Sequence, residues 1–149
     1  MKNVVPALCF ALLATALQAQ TAKEMDLLLA DPQLSYARAA RYILPAAGIL
    51  PVSVSEADAF KAALEKGWLP DGTAASSPVR LDQGSYLMMR AFSLEGGLMY
   101  RLIPGPRYAY RELVHRRFIQ GRRDPAQPLS GARLVQILGR VLDDKGGGE

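Results

Sequence analysis

The sequence predicts a mainly α-helical domain, and three observations carry that expectation. Apolar residues recur at helical spacing in several segments, each bounded by Gly, Pro or a Ser cap. No run of roughly four to eight residues alternates apolar and polar side chains cleanly enough to read as a half-buried strand. The 149 residues, 50% hydrophobic, suffice for one compact core and are too apolar for a disordered chain.

The first segment reads as a secretory leader over residues 1–19. Lys2 gives a positive start, Val4 to Leu17 is apolar apart from Thr15, and Ala14-Thr15-Ala16 or Ala19 offers a small-residue cleavage point. The apolar run is about 14 residues, short of the roughly 20 that span a bilayer. The expected mature protein is exported, periplasmic or envelope-associated, and has no transmembrane segment once the leader is removed. The single cysteine, Cys9, lies in the leader and has no small-residue box before it that would make it a lipid acceptor. The mature domain is then cysteine-free and stabilised by packing alone. His115 is the only histidine, which excludes a multi-histidine metal site, so no metal or cofactor is expected.

Five helices follow. Leu34 to Leu44 places Tyr36, Ala40, Ile43 and Leu44 near one face and ends at Pro45 and Gly48. Ser55 caps Glu56 to Lys66, with acids in the first turn and Gly67 as the stop. Pro70-Asp71-Gly72-Thr73 is turn chemistry, and Leu81 to Phe92 is the third helix. Leu98 to Ile103, set between Gly96-Gly97 and Pro104-Gly105-Pro106, reads equally as a strand or a helical turn. Tyr108 to Phe118 and Ser130 to Leu142 are the last helices, and 143–149, with three consecutive glycines, reads as a flexible tail.

The chain also repeats. Val79 follows Gly67 by twelve residues, and Leu129 follows Arg117 by twelve. Each pair joins a helix-ending turn to the start of the next helix. A contracted third copy runs from Ala47-Gly48-Ile49-Leu50 to Val54-Ser55-Glu56. A helix-loop-helix unit this small cannot bury both faces, so two or three must stack to make a core.

These units resemble the S-layer homology (SLH) domain. The likeness rests on Gly67-Trp68-Leu69, Pro70-Asp71-Gly72-Thr73 and Val79-Arg80-Leu81-Asp82, with Phe118-Ile119-Gln120-Gly121 and Leu129-Ser130-Gly131-Ala132-Arg133 as a looser second copy. The motif arginine is present only as Arg80, with Glu56 and Gly131 at the equivalent places, and Arg133 stands where the family has an acid. Ser93 to Arg107 is an insertion. The resemblance implies two to three SLH-like repeats around a shared core over 34–142. It also implies noncovalent attachment to peptidoglycan or another cell-wall polysaccharide, with Arg80 and Asp82 in the groove between units.

Charge supports a binding role. Residues 20–95 carry seven Lys/Arg and nine Asp/Glu, whereas 96–149 carry ten against five. The basic half is built from Arg101, Arg107, Arg111, Arg116, Arg117, Arg122 and Arg123, interleaved with Tyr100, Tyr108 and Tyr110. Guanidinium forks take carboxylate or phosphate bidentately, and tyrosine faces suit the apolar sides of sugars. Arg107 near a helix start opposes the helix dipole, a placement that an anionic partner would offset. Glu112 and Arg116 are expected to pair at i,i+4. Trp68, the only tryptophan, reads as core between units or as a sugar-stacking platform. The candidate ligand-binding set is Trp68, Arg80, Asp82, Arg107, Tyr108 and Arg111. Its expected partner is a wall glycan or an acidic envelope protein; an exported protein rarely meets nucleic acid. No catalytic set is legible: His115 has no nucleophile signature beside it, and no carboxylate pair or phosphate loop stands out. The expectation is a binder and not an enzyme.

Overall fold

The computed structural model describes residues 21–121 and 124–147. The expected leader lies outside them. The described chain opens in a helical segment, 21–30, that the sequence reading did not single out. Six helices follow: α1 Tyr36–Ala46, α2 Glu56–Glu65, α3 Leu81–Ala91, α4 Leu98–Leu102, α5 Pro106–His115 and α6 Gly131–Gly146. Among the described residues there is no strand, only isolated bridges from Ser35 to Pro78 and from Arg80 to Pro128. The mainly α class holds, and the undecided Leu98 segment is helical.

Three segments far apart in sequence meet in a closed ring of backbone hydrogen bonds. The Val79 amide donates to the Leu34 carbonyl (2.9 Å), Leu34 to Leu129 (2.9 Å), and Leu129 to Val79 (3.0 Å). All three side chains are buried. Each ring residue immediately precedes the N-cap of a helix: Ser35 for α1, Arg80 for α3, Ser130 for α6. The residue that joins Val79 and Leu129 is therefore Leu34, not Val54, whose amide bonds only locally to the Pro51 carbonyl.

The orphan amides at these helix starts are satisfied around the same three segments, donating in the opposite cyclic sense. Tyr36 and Ala37 donate to the Ser77 and Ala75 carbonyls, Leu81 and Asp82 to those of Gln127 and Pro125, and Gly131 to that of Asp31. Each loop thus caps the helix that follows the neighbouring ring segment. Against this frame α2 packs on α1 and α5 on α3, while α1 also touches α3 and α6. Ile43, Leu44, Leu87, Met88, Leu113, Leu134 and Ile137 fill the centre. Each such side chain contributes roughly 1.5–3 kcal/mol by leaving water.

Four helices end in one way. Gly48, Gly67, Ser93 and Arg117 all have positive φ, and the next residue returns a hydrogen bond to a carbonyl five positions back. That next residue is apolar each time: Ile49, Trp68, Leu94 and Phe118, the hydrophobic closure of a Schellman turn. Pro45 does not stop α1, because a proline in the last turn forgoes a single amide. The expected tail from residue 143 is instead helical to Gly146. Lys145 Nζ donates to the Phe92 carbonyl there (2.6 Å), fastening α6 to the end of α3.

Candidate functional site

The N-terminus of α3 is built differently from its two counterparts. Ser35 and Ser130 each accept from the amide three residues on, those of Arg38 and Arg133 (3.2 Å in both). Arg80 holds the same place and has no side-chain acceptor to offer. The amide that a serine would cap, Gln83 N–H, is taken by Asp82 Oδ1 at 2.8 Å. Arg80 in turn clasps the Asp82 carboxylate with two nitrogens, Nε lying 3.1 Å from Oδ1. The Asp82 side chain is only 9% exposed, whereas that of Arg80 is 53% exposed. Asp82 is therefore the anchor, and Arg80 is the charge presented to solvent. The hydrogen bond and charge of Asp82 push the Arg80 guanidinium further above its ordinary range.

Across from Arg80 lies the first turn of α5. Pro106 sets its entry at N1, and Gly105 provides an N-cap without a side-chain bond. Arg107, Tyr110 and Arg111 fall at i, i+3 and i+4, one face of the helix. With Arg80, Asp82 and Pro125 they line a shallow groove of about 560 Å³. Among the described residues no ion pair engages Arg107 or Arg111. Like charges at i,i+4 cost a few tenths of a kcal/mol and gain nothing from the fold itself. The groove thus holds three guanidinium groups against one carboxylate already occupied by Arg80. Its chemistry suits carboxylate or phosphate groups.

Four of the six expected ligand residues, Arg80, Asp82, Arg107 and Arg111, share this groove. Trp68 does not line it. Its half-buried ring lies between two other clefts, one of about 610 Å³ with Arg90, Tyr100 and Arg101, the other of about 260 Å³ with Tyr36, Gln83 and Tyr86. Lys66 Nζ stands 5.2 Å from the ring centroid. As the apolar residue after Gly67, Trp68 closes the α2 turn, which fixes it away from Arg80. Tyr108 does not line the groove either; it packs on the core from the flank of α5. Tyr110 lines the groove in its place, and counting i+3 from Arg107 would have found it. The expected pairing of Glu112 with Arg116 is not made: Arg116 donates to the Glu95 carbonyl.

Tyr36, a core residue, feels the charges of Arg80 and Asp82. It is buried, and desolvation raises its phenol above the usual range; the Asp82 charge adds to this and Arg80 opposes it. Among the described residues no group of three His, Cys, Asp or Glu side chains is placed to hold a metal ion. No helix there is long and apolar enough to cross a membrane. Compared with known proteins, the chain matches no family model, no curated protein and no solved structure.

Proposed function

We propose that this chain is a non-catalytic, exported protein of the cell envelope, an SLH-like domain that binds peptidoglycan or an anionic wall polysaccharide. Three units make up the domain in this reading: the 21–30 segment with α1, α2 with α3, and α5 with α6. Each contributes one residue to the Leu34–Val79–Leu129 ring, which supports a three-unit arrangement. The observation that carries the binding role is the convergence of Arg80, Arg107 and Arg111 on one groove. Residues from two units supply it, and α5 keeps two like charges a turn apart, neither of them held in an ion pair among the described residues. Asp82 serves this site by holding Arg80 in place. Muropeptide carboxylates or wall phosphates are the groups such forks accept.

A second reading is a protein-interaction module docking on an acidic envelope partner. It is favoured by the arginines that continue along and beyond α5 to Arg116 and Arg117, outside the groove. Sedimentation with purified sacculi tests the pair. Wall binding predicts that the protein pellets with sacculi at low salt and is released by muramidase. Protein that stays in the supernatant at low salt rejects the wall reading. Co-purification with one stoichiometric partner that survives muramidase supports the second reading.

A further inference from the structure

The larger cleft beside Trp68 shares no lining residue with the arginine groove. At about 610 Å³ it falls within the roughly 300–1,000 Å³ typical of small-ligand sites. Buried Met89 and Leu94 give it apolar surface, and the half-buried indole of Trp68 lines it from the end of α2. Arg90 comes from the last turn of α3, and the inserted stretch 93–107 contributes Glu95, Tyr100 and Arg101. That stretch is fixed to the body of the protein. The Tyr100 ring closes over Gly96, and Arg116 donates to the Glu95 carbonyl.

The fold leaves two needs of this cleft unmet. Arg90, Arg101 and Glu95 are exposed, and among the described residues none of them enters an ion pair. Charges of both signs therefore line one cavity without neutralising each other. Tyr100 is only 7% exposed, yet the proton of its buried hydroxyl has no acceptor among the described residues. Burial pushes the Tyr100 phenol up, and the Arg90 guanidinium beside it opposes that rise. Arg90 can donate to the phenol but cannot accept from it.

We infer that this cleft binds a short peptide in its zwitterionic form. The free carboxylate sits on Arg90 and Arg101, the terminal ammonium meets Glu95, and an apolar side chain covers Met89, Leu94 and Trp68. A carboxylate on Arg90 brings the acceptor that the Tyr100 proton lacks, and guanidinium groups make strong, directed bonds to it. A simple anion would leave Glu95 without a counter-charge, and an uncharged apolar ligand would leave all three ionic groups unanswered. The inference does not rest on the wall-binding reading.

Trp68 is the only tryptophan of the chain, so its fluorescence reports the cleft during titration of the full chain. Alanyl-phenylalanine is expected to change the emission saturably. Its C-terminal amide, which lacks the carboxylate, and its N-acetyl form, which lacks the ammonium, should each bind on the order of tenfold more weakly. Arg101→Gln should weaken the dipeptide by about the same factor, and Glu95→Gln should remove its advantage over the acetylated form. Both variants should keep the wild-type thermal midpoint, because both side chains are exposed and unpaired. Tyr100→Phe should weaken the dipeptide roughly threefold without lowering the midpoint, since the hydroxyl it removes has no acceptor in the free protein. Absence of a saturable change overturns the inference, as does equal binding of the amide or of the acetylated form. A response that Arg101→Gln and Glu95→Gln both leave intact would place the dipeptide in the neighbouring Tyr36–Tyr86 cleft and overturn it as well.

Discussion

A Cβ built on Gly131 would lie 1.7 Å from the carbonyl oxygen of Leu28, a separation that no side chain can occupy. The first residue of α6 is pressed onto the last turn of the 21–30 segment, and its amide donates to the Asp31 carbonyl at 2.9 Å. The obstacle is backbone, so it cannot swing aside. Gly131→Ala should therefore destabilise the protein by about 3 kcal/mol or more, read from urea denaturation. Gly139 in the same helix has open space around it, and Gly139→Ala should stabilise by about 0.5–1 kcal/mol. Similar effects at the two positions would contradict the close approach.

Gly67 and Arg117 hold the same left-handed turn, at φ 66° and 61°, with different side chains. Only glycine adopts that conformation without a steric cost. Arg117→Gly should raise stability by about 0.5–1 kcal/mol, and Gly67→Ala should lower it by about 1 kcal/mol, because nothing but the backbone conformation resists the new methyl. Thermal denaturation of both variants checks the paired signs.

The helices and their stops were legible because they are local. Ser55 as a cap, Gly67 as a stop and Asp82 in a first turn are decided by a few neighbours. The ring was not, since Leu34, Val79 and Leu129 stand 45 and 50 residues apart and meet only when the chain closes. A textual signal did exist: Asp31-Pro32 before Leu34-Ser35 matches Asp124-Pro125 before Leu129-Ser130. Charge type was equally legible, so Arg80, Arg107 and Arg111 were found from sequence. Their placement was not, because whether Trp68 joins Arg80 depends on which way the α2 turn carries it. Likewise Tyr108 and Tyr110 differ only by the face of α5 on which they fall.

Burial and the Asp82 charge give Tyr36 a phenol that ionises above the ordinary value of 10.0, and burial does the same for Tyr100. A folded-state value raised above the unfolded one means that the stabilisation is complete below pH 10 and is lost as pH climbs through the folded value. Alkaline titration followed by phenolate absorbance should show a late component that Tyr36→Phe reduces. Asp82→Asn should move the Tyr36 part of that component to lower pH.

Removing Arg80 leaves the Asp82 carboxylate buried without its cation. Arg80→Ala should cost about 1 kcal/mol, less than for a fully buried pair, because Arg80 is half exposed and solvent can approach. Arg111→Ala, which breaks no pairing, should change stability by no more than about 0.5 kcal/mol. Chemical denaturation of the two variants separates the positioning of Asp82 and Arg80 from the free charge on α5.

That separation allows the wall-binding site to be tested without disturbing the fold. Arg107→Glu/Arg111→Glu reverses the sign of the α5 side of the groove and touches neither the ring nor the Arg80–Asp82 pair. The decisive measurement is co-sedimentation of this double variant and the wild type with purified sacculi across a salt series. The wild type should pellet at low salt and be released as salt rises, while the variant stays in the supernatant with a thermal midpoint no lower than the wild type's, since an acid at position 107 suits the start of α5. A variant that pellets as well as the wild type would contradict the assignment of the groove as the wall-binding site.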